Sequence, residues 1–442
     1  MASTVRSLSV ALEGSGQFGS LGSDGIPSAS GLTFISIPCE RDPIIISGEP
    51  VISERNDAKD GPYFVPPEID TVFNGSGNKV HRRTGQVVVR VDLTTIGSTP
   101  ADYSANYLGY LLGAGFLTQV PSANAKADTV TSVTDVNTFT PSAAFNEADI
   151  GTLLSTTIGG RAEYSAITDH DFGGATDIIK MSPAVSSTSF TAVRGLQTWY
   201  VPSRTVTGTY NRSVAFRVDG NNFRMFAFGC VLESLSITLD NGRLMGEFTY
   251  QSAYITDDHG NAVGPIEPAY NGGQAPFFRG AYAVISSGSP ASLTNGTAPE
   301  AQGRIALDAE DFSLTVTNTL TPLGHSNSIL AMSNMEISDV TVELSLTLSS
   351  VNTTVANDHL NRVVRQVLIG TGPVGDGLGC AIMLPAGMLT ADPNVYDVSG
   401  NDIVRQTLTY QQSRYSGDYS GENTETYESN AGCSPFRLGL GV

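Results

Sequence analysis

The sequence repeats a set of landmarks in the same order, and that repetition limits what the chain can fold into. Around residue 229 it reads Gly229-Cys230-Val231-Leu232, then an alternating strand, then Thr249-Tyr250-Gln251-Ser252, then Ala275-Pro276-Phe277-Phe278-Arg279-Gly280. Around residue 379 it reads Gly379-Cys380-Ala381-Ile382, then an alternating strand, then Thr409-Tyr410-Gln411-Gln412-Ser413, then Ser434-Pro435-Phe436-Arg437-Leu438-Gly439. A strand and a short helix precede each set. Duplication on this scale implies two similar β units in one subunit. Subunits of that kind build pseudo-symmetric rings, which points to assembly and away from catalysis.

Composition supports a folded β protein. The 442 residues allow two or three domains with sizeable cores. Only 15% of residues are charged, and the net charge is −19. A chain of that sign does not hold nucleic acid by neutralising phosphates. The four cysteines, Cys39, Cys230, Cys380 and Cys433, show no CxxC spacing, so a zinc site is not expected. Cys230 and Cys380 fall at matching landmarks and read as buried small residues. No signal-like N-terminal run and no long apolar stretch is evident, so a soluble chain made in the cytoplasm is expected.

The segments can be placed one by one. Gly48 to Arg83 reads as a long polar loop. Val87, Val89, Val91 and Leu93 alternate with Gln86, Val88, Arg90 and Asp92 as a half-buried strand. A short helix follows, with Tyr107, Leu108, Leu111 and Leu112 on its apolar face and Gly113 at its end. Residues 120–205 read as a small inserted β module. Val231, Glu233, Leu235, Ile237 and Leu239 begin a hairpin that turns at Asp240-Asn241-Gly242-Arg243 and returns through Leu244, Gly246, Phe248 and Tyr250. Val340 to Leu348 forms a long strand. A helix is predicted over Val355 to Ile369, with Leu360, Val363, Val364 and Val367 on one stripe and Gly370 closing it.

Catalytic patterns are missing. His81, His170, His259, His325 and His359 lack ligand or triad spacing. Asp169-His170-Asp171, Asp257-Asp258-His259 and the Asp308, Glu310, Asp311 cluster read as solvated turns and strand entries. The glycines from Gly370 to Gly379 lack the Lys-Ser/Thr of a phosphate loop, and no Gly-x-Ser-x-Gly elbow occurs. No enzyme and no cofactor is expected.

The run Phe228-Gly229-Cys230-Val231-Leu232-Glu233-Ser234-Leu235-Ser236-Ile237 resembles the tail tube (major tail) proteins of siphophage-type bacteriophages. So do Ser53-Glu54-Arg55-Asn56-Asp57 ahead of the strand at 86–93, the helix from Leu108 to Gly113, and the final Pro435-Phe436-Arg437-Leu438. The resemblance covers most of the chain except about 120–205. It implies a mainly β fold of two tandem sandwich or barrel domains, each with a short flanking helix. The units would be an N-terminal arm (1–32), a first domain (33–285), a linker (286–305) and a second domain (306–442).

The resemblance also implies a structural virion protein whose stacked rings form the conduit for DNA ejection. Two units per chain give trimeric, pseudo-hexameric rings, with a hexamer as runner-up. The partners would be further copies of the chain and the terminator, tape-measure and distal tail proteins. Phage DNA would pass without specific binding, and no membrane is involved. Ser234, Ser236, Thr238, Glu247, Thr249, Thr341, Glu343, Ser345 and Thr347 would line the lumen. Glu54, Arg55, Asp57, Lys59 and Asp60, in the loop at 48–83, would contact the next ring. Two other readings remain: a tail hub or capsid decoration protein, and a secreted carbohydrate-binding β module.

Overall fold

The computed structural model describes residues 7–14, 27–38, 44–53, 79–93, 106–122, 127–143, 145–171, 178–201, 212–220, 223–257, 282–287, 303–324, 332–355, 357–371, 379–393, 396–399, 403–413 and 431–441. The fold is mainly β and antiparallel. The first unit opens with β1 (Ser7–Leu12), β2 (Ile35–Ile37), β3 (Ile44–Ser53), β4 (Lys79–Asp92) and helix α1 (Tyr107–Gly113). An inserted region follows: β5 (Leu117–Gln119), β6 (Asp128–Asp135), β7 (Thr138–Pro141), β8 (Leu153–Ile158), β9 (Arg161–Asp171), β10 (Ile178–Ser182), β11 (Ala192–Gly195) and β12 (Gln197–Tyr200). The first unit resumes with β13 (Val214–Gly220), β14 (Phe223–Asp240), β15 (Arg243–Ser252) and β16 (Tyr254–Asp257).

The second unit begins with β17 (Tyr282–Ser287), β18 (Arg304–Ala306), β19 (Ala309–Gly324) and β20 (Met332–Leu348). It continues through the one-turn helix α2 (Asp358–Asn361), β21 (Val364–Thr371), β22 (Cys380–Leu389), β23 (Tyr396–Ser399), β24 (Ile403–Gln412) and β25 (Arg437–Leu440). Strand pairing makes the two units equivalent piece by piece. β1 lies between β2 and β13, as β17 lies between β18 and β21. β4 lies between β3 and β15, as β20 lies between β19 and β24. Even an irregularity recurs: β13 slips register between Val214 and Phe216, and β21 slips between Arg365 and Val367.

These pairings move the unit boundaries. Residues 7–12, expected in an N-terminal arm, form a strand inside the first unit. Residues 282–285, expected in the first domain, and 286–287, expected in the linker, together form β17, which pairs with β21 in the second unit. The equivalence of Cys230 and Cys380 also needs correction. Tyr250 lies opposite Leu232, two residues past Cys230, whereas Tyr410 lies opposite Leu389, nine residues past Cys380. The two Gly-Cys dipeptides therefore share a sequence and not a position. The continuous strand β14 is matched in the second unit by β22 and then β23, so a landmark early in β22 falls out of step. Both thiols are nonetheless buried.

A second correction concerns the predicted helix over Val355 to Ile369. Only Asp358–Asn361 is α-helical, and Arg362 ends that turn in the left-handed region at φ 51°. Leu360, expected on the apolar stripe, is 73% exposed. The rest is β21, whose β-branched Val364, Val367 and Ile369 favour a strand. It lies between β17 and β22 and buries both faces, so it reads as a continuous apolar run rather than an alternation. Such a run is not separable from a helix by periodicity.

Other elements form as their residues dictate. Asn106 caps α1, its side chain accepting from Leu108 N at 2.9 Å, and the apolar face of the helix is buried. The β14–β15 hairpin turns through Asn241 and Gly242 at φ 51° and 78°, which an Asn-Gly pair permits without strain.

Each unit is a two-layer sandwich around a shared core that includes Val89, Leu235, Phe248, Leu314, Leu344 and Tyr410. Burying side chains of this size contributes about 1.5–3 kcal/mol each. One layer of the second unit is β17, β18, β21 and β22; the other is β19, β20 and β24. Residues 128–195 fold separately into a closed six-strand barrel, β10-β7-β6-β11-β8-β9, with its own core around Phe139, Ile150, Ile167 and Phe190. The barrel sits on the β17–β21–β22 layer. Leu153, Tyr164 and Leu196 pack on Val284, Leu368 and Met383, which face away from the main core. Tyr164 donates to Thr371 O at 3.0 Å, and Ser182 donates to Gln366 Oε1 at 2.6 Å. Gly370, expected to close a helix, instead gives the Tyr164 ring its seat: a Cβ there would fall 2.0 Å from the ring. β12 ties the insertion to the sandwich by pairing with β25, placing Trp199 opposite Leu438.

Two outcomes check this packing. The Asp358 carboxylate accepts two bonds from Arg365, at 2.8 and 2.9 Å, and both side chains are largely buried. Asp358→Ala strands the guanidinium and is expected to cost about 3–5 kcal/mol in urea unfolding; a cost under about 1 kcal/mol would contradict the buried pairing.

The second outcome concerns alkaline pH. Burial pushes the Cys380 thiol from 9.0 up to about 12, and raises Cys230 and Tyr250 well above their ordinary values. Folded pKa values above the unfolded ones give stability that is complete below the ordinary values and lost as pH rises through the folded ones. The urea midpoint should therefore fall steadily between about pH 9 and 12. An unchanged midpoint across that window would show these groups to be accessible.

Candidate functional site: a polar face shared by both units

The two units are joined edge to edge. β14 pairs with β15 of its own unit on one side and with β19 of the other unit on the other side. The joint runs Ser234↔Thr317, Leu235↔Val316, Ser236↔Thr315, Ile237↔Leu314 and Thr238↔Ser313. A register slip between Leu232 and Ser234 lets the first half of β14 serve one layer and the second half the other. The result is one sheet, β3-β4-β15-β14-β19-β20-β24, that crosses the unit boundary without a break.

Side chains alternate across this sheet. The apolar set enters the core, and the other set forms rows on the opposite face. One row is Arg90, Glu247, Ser236, Thr315, Glu343 and Gln411. Its neighbour is Val88, Thr249, Ser234, Thr317 and Thr341. Another contains Thr238, Ser313, Ser345 and Thr409. Glu247, Thr341 and Glu343 are exposed, while Ser234, Ser236, Thr238, Thr249, Ser345 and Thr347 are half-buried. All nine residues expected to line a lumen thus share one face, spread over three strands from both units.

The electrostatics of the face are neutral to acidic. Arg90 pairs with Asp240 and Arg243 with Asp92, each at 3.2 Å. Arg405 holds Glu310 through two bonds of 2.8 and 2.9 Å, and this hydrogen bonding keeps the Glu310 carboxyl below its ordinary range. Gln86 donates to Glu233 at 3.0 Å. Each guanidinium on the face, among the described residues, is therefore matched to a carboxylate. The remainder is mostly hydroxyl, as in the Ser345–Thr409 contact at 3.4 Å.

The inter-ring candidates Glu54, Arg55, Asp57, Lys59 and Asp60 lie outside the described residues. Both ends of the loop expected at 48–83 are strand instead, because β3 runs to Ser53 and β4 starts at Lys79. Sequence reasoning missed the counterpart of this hairpin. β19 and β20 stay paired as far as Gly324↔Met332, well past the joint. Leu320, Met335 and Ile337 lean on Val231, Ala253 and Tyr254 of the first unit. Ser313, Thr315, Thr317, Thr407 and Thr409 were also missed as members of the face. The duplication held the signal, since aligning β3 with β19 predicts a second long hairpin.

A cavity of about 280 Å³ opens where the barrel meets the second unit, beside Asp128, Tyr164, Arg194 and Gly379. No histidine or cysteine lines it. Among the described residues no group of three His, Cys, Asp or Glu side chains is placed to hold a metal ion, and no helix is long and apolar enough to cross a membrane. Neither the protein-family models nor the curated proteins give a match to this chain.

Substitution separates the role of the face from that of the core. Glu247→Lys with Glu343→Lys changes exposed positions only, so stability should stay within about 0.5 kcal/mol of the parent. A collapse of the unfolding midpoint would instead assign these carboxylates to the fold. A core truncation such as Leu314→Ala, at a fully buried position, should by contrast cost about 2–5 kcal/mol.

Proposed function

We propose that the chain is a structural protein of a phage tail tube. Three copies form a ring of six β units, and stacked rings form the conduit through which DNA leaves the virion. The observation that carries this reading is the arrangement of layers. The hydroxyl-rich face of the joined sheet lies on one side of the core, and the inserted barrel lies on the other. A ring built with the polar face inward has a wall of small neutral groups and paired charges. Among the described side chains, such a wall provides no free cations to displace counterions from phosphate, so DNA slides through without being held. The barrel then projects from the outside, where it cannot obstruct the channel. Terminator, tape-measure and distal tail proteins are the partners expected at the ends of such a tube.

The reading is tested by imaging the purified protein by electron microscopy and measuring its mass by light scattering. Rings of three chains, stacking into tubes with residues 128–195 on the outer surface, are expected. A chain that stays monomeric at all concentrations, a ring of six chains, or a barrel inside the lumen would each overturn it.

A further inference from the structure

The cavity of about 280 Å³ between the barrel and the second unit has a wall ordered by strand register. Across β11, β8 and β9, Arg194 lies opposite Ser155, and Ser155 lies opposite Tyr164. These three share the outer face of the barrel, since the neighbouring Leu154 and Val193 enter its core. Exposure rises along the wall: Tyr164 is buried, Arg194 and Ser155 are half-buried, and Ala192 and Thr157 are exposed. The inner end is apolar, because Leu196 and Tyr164 pack there on Leu368 and Met383. Gly379 of the second unit faces this wall, and a Cβ on it would fall 2.8 Å from Tyr164 Oη. The cavity is thus a wedge, dry and apolar within, with a cation halfway out.

We propose that this wedge binds a small organic monocarboxylate, its charge on Arg194 and its hydrocarbon body toward Leu196 and Tyr164. Arg194 is the one cation among the described residues lining the cavity. Its planar fork suits a carboxylate held through two parallel bonds, and the Ser155 hydroxyl opposite adds a further donor. Asp128, the one carboxylate on the wall, is engaged elsewhere: it accepts from Ser142 Oγ at 2.6 Å and from Ala143 N at 3.4 Å. A single guanidinium balances a monoanion, whereas a phosphate dianion would bring an uncompensated charge into a half-buried site. The apolar inner end adds affinity in proportion to the hydrocarbon it covers. The volume lies just below the range of about 300–1,000 Å³ that holds drug-sized ligands, so the ligand is a smaller one. This binding is a property of the single chain and stands apart from the tube reading.

Ligand-observed NMR titration of the full chain tests the site with acetate, butyrate, hexanoate, 1-butanol and inorganic phosphate. Affinity should rise about fourfold for each added methylene from acetate to hexanoate. Butanol and phosphate should bind about 10-fold more weakly than butyrate, and Arg194→Gln should weaken butyrate by a similar factor. Arg161→Gln, which removes an exposed charge from the same barrel, should leave affinity unchanged. Ala192→Phe, at the exposed mouth, should block hexanoate, and it tests the site independently should Arg194→Gln fail to fold. No saturable binding of hexanoate would overturn the proposal, as would equal binding by the parent and either cavity variant. Affinity that stays flat along the series would remove the hydrocarbon body from the wedge. Phosphate binding as tightly as butyrate would reject the carboxylate class.

Discussion

The main-chain pairing of β14 with β19 organises the rest of the structure. Two sandwiches tethered by a linker would have free relative motion, with polar faces pointing in unrelated directions. Five residue pairs across this joint align the strands of both units in one sheet. Alternation then carries the polar side of one unit directly into the polar side of the other. The core inherits the same continuity, since Leu235 and Ile237 on one strand meet Val316 and Leu314 on the next. Backbone hydrogen bonding joins the strands, and apolar burial sets their register, because a slip of one residue would turn Leu314 and Val316 to solvent.

The two units do different work on their other layer. In the second unit the surface of β17, β21 and β22 away from the core is apolar and is covered by the barrel, with Gly370 making room for the Tyr164 ring. In the first unit the matching surface carries Phe226 and Phe228, and residues Ala29, Leu32 and Phe34 cover it instead. Arg217 there stacks on Phe34 at 4.7 Å and, with Arg224, pairs with the buried Asp219 at 2.8 and 2.6 Å. Duplication supplied two equal frames, and each outer surface was then closed by a different device. A chain that fuses two units can treat them unequally, which a ring of identical single units cannot.

Much of this was legible in the residues. The period-two alternation of Val87, Val89 and Val91 and of Val342, Leu344 and Leu346 fixes those strands and their buried sides, because a half-buried strand writes its environment directly into its sequence. Asn241-Gly242 fixes its hairpin through backbone freedom at positive φ. The landmarks Thr249-Tyr250 and Thr409-Tyr410 hold equivalent places because each tyrosine lies opposite the matching residue of its own β4 or β20 strand, Val87 and Leu344. The insertion was legible as a break in that pattern.

What the sequence could not determine were features created by neighbours distant along the chain. Val364 to Ile369 looked helical because burial on both faces erases alternation, and only the presence of β17 and β22 on either side makes it a strand. The Gly-Cys landmark misled because a dipeptide carries no register; Tyr410 had to be placed opposite Leu389 before the shift was visible. Local residues determined which side of each strand is polar, since side-chain period is a property of the strand alone. That Ser234, Ser236 and Thr238 continue into Thr317, Thr315 and Ser313 was decided only by the tertiary structure, because edge pairing is made by backbone groups that every residue carries alike.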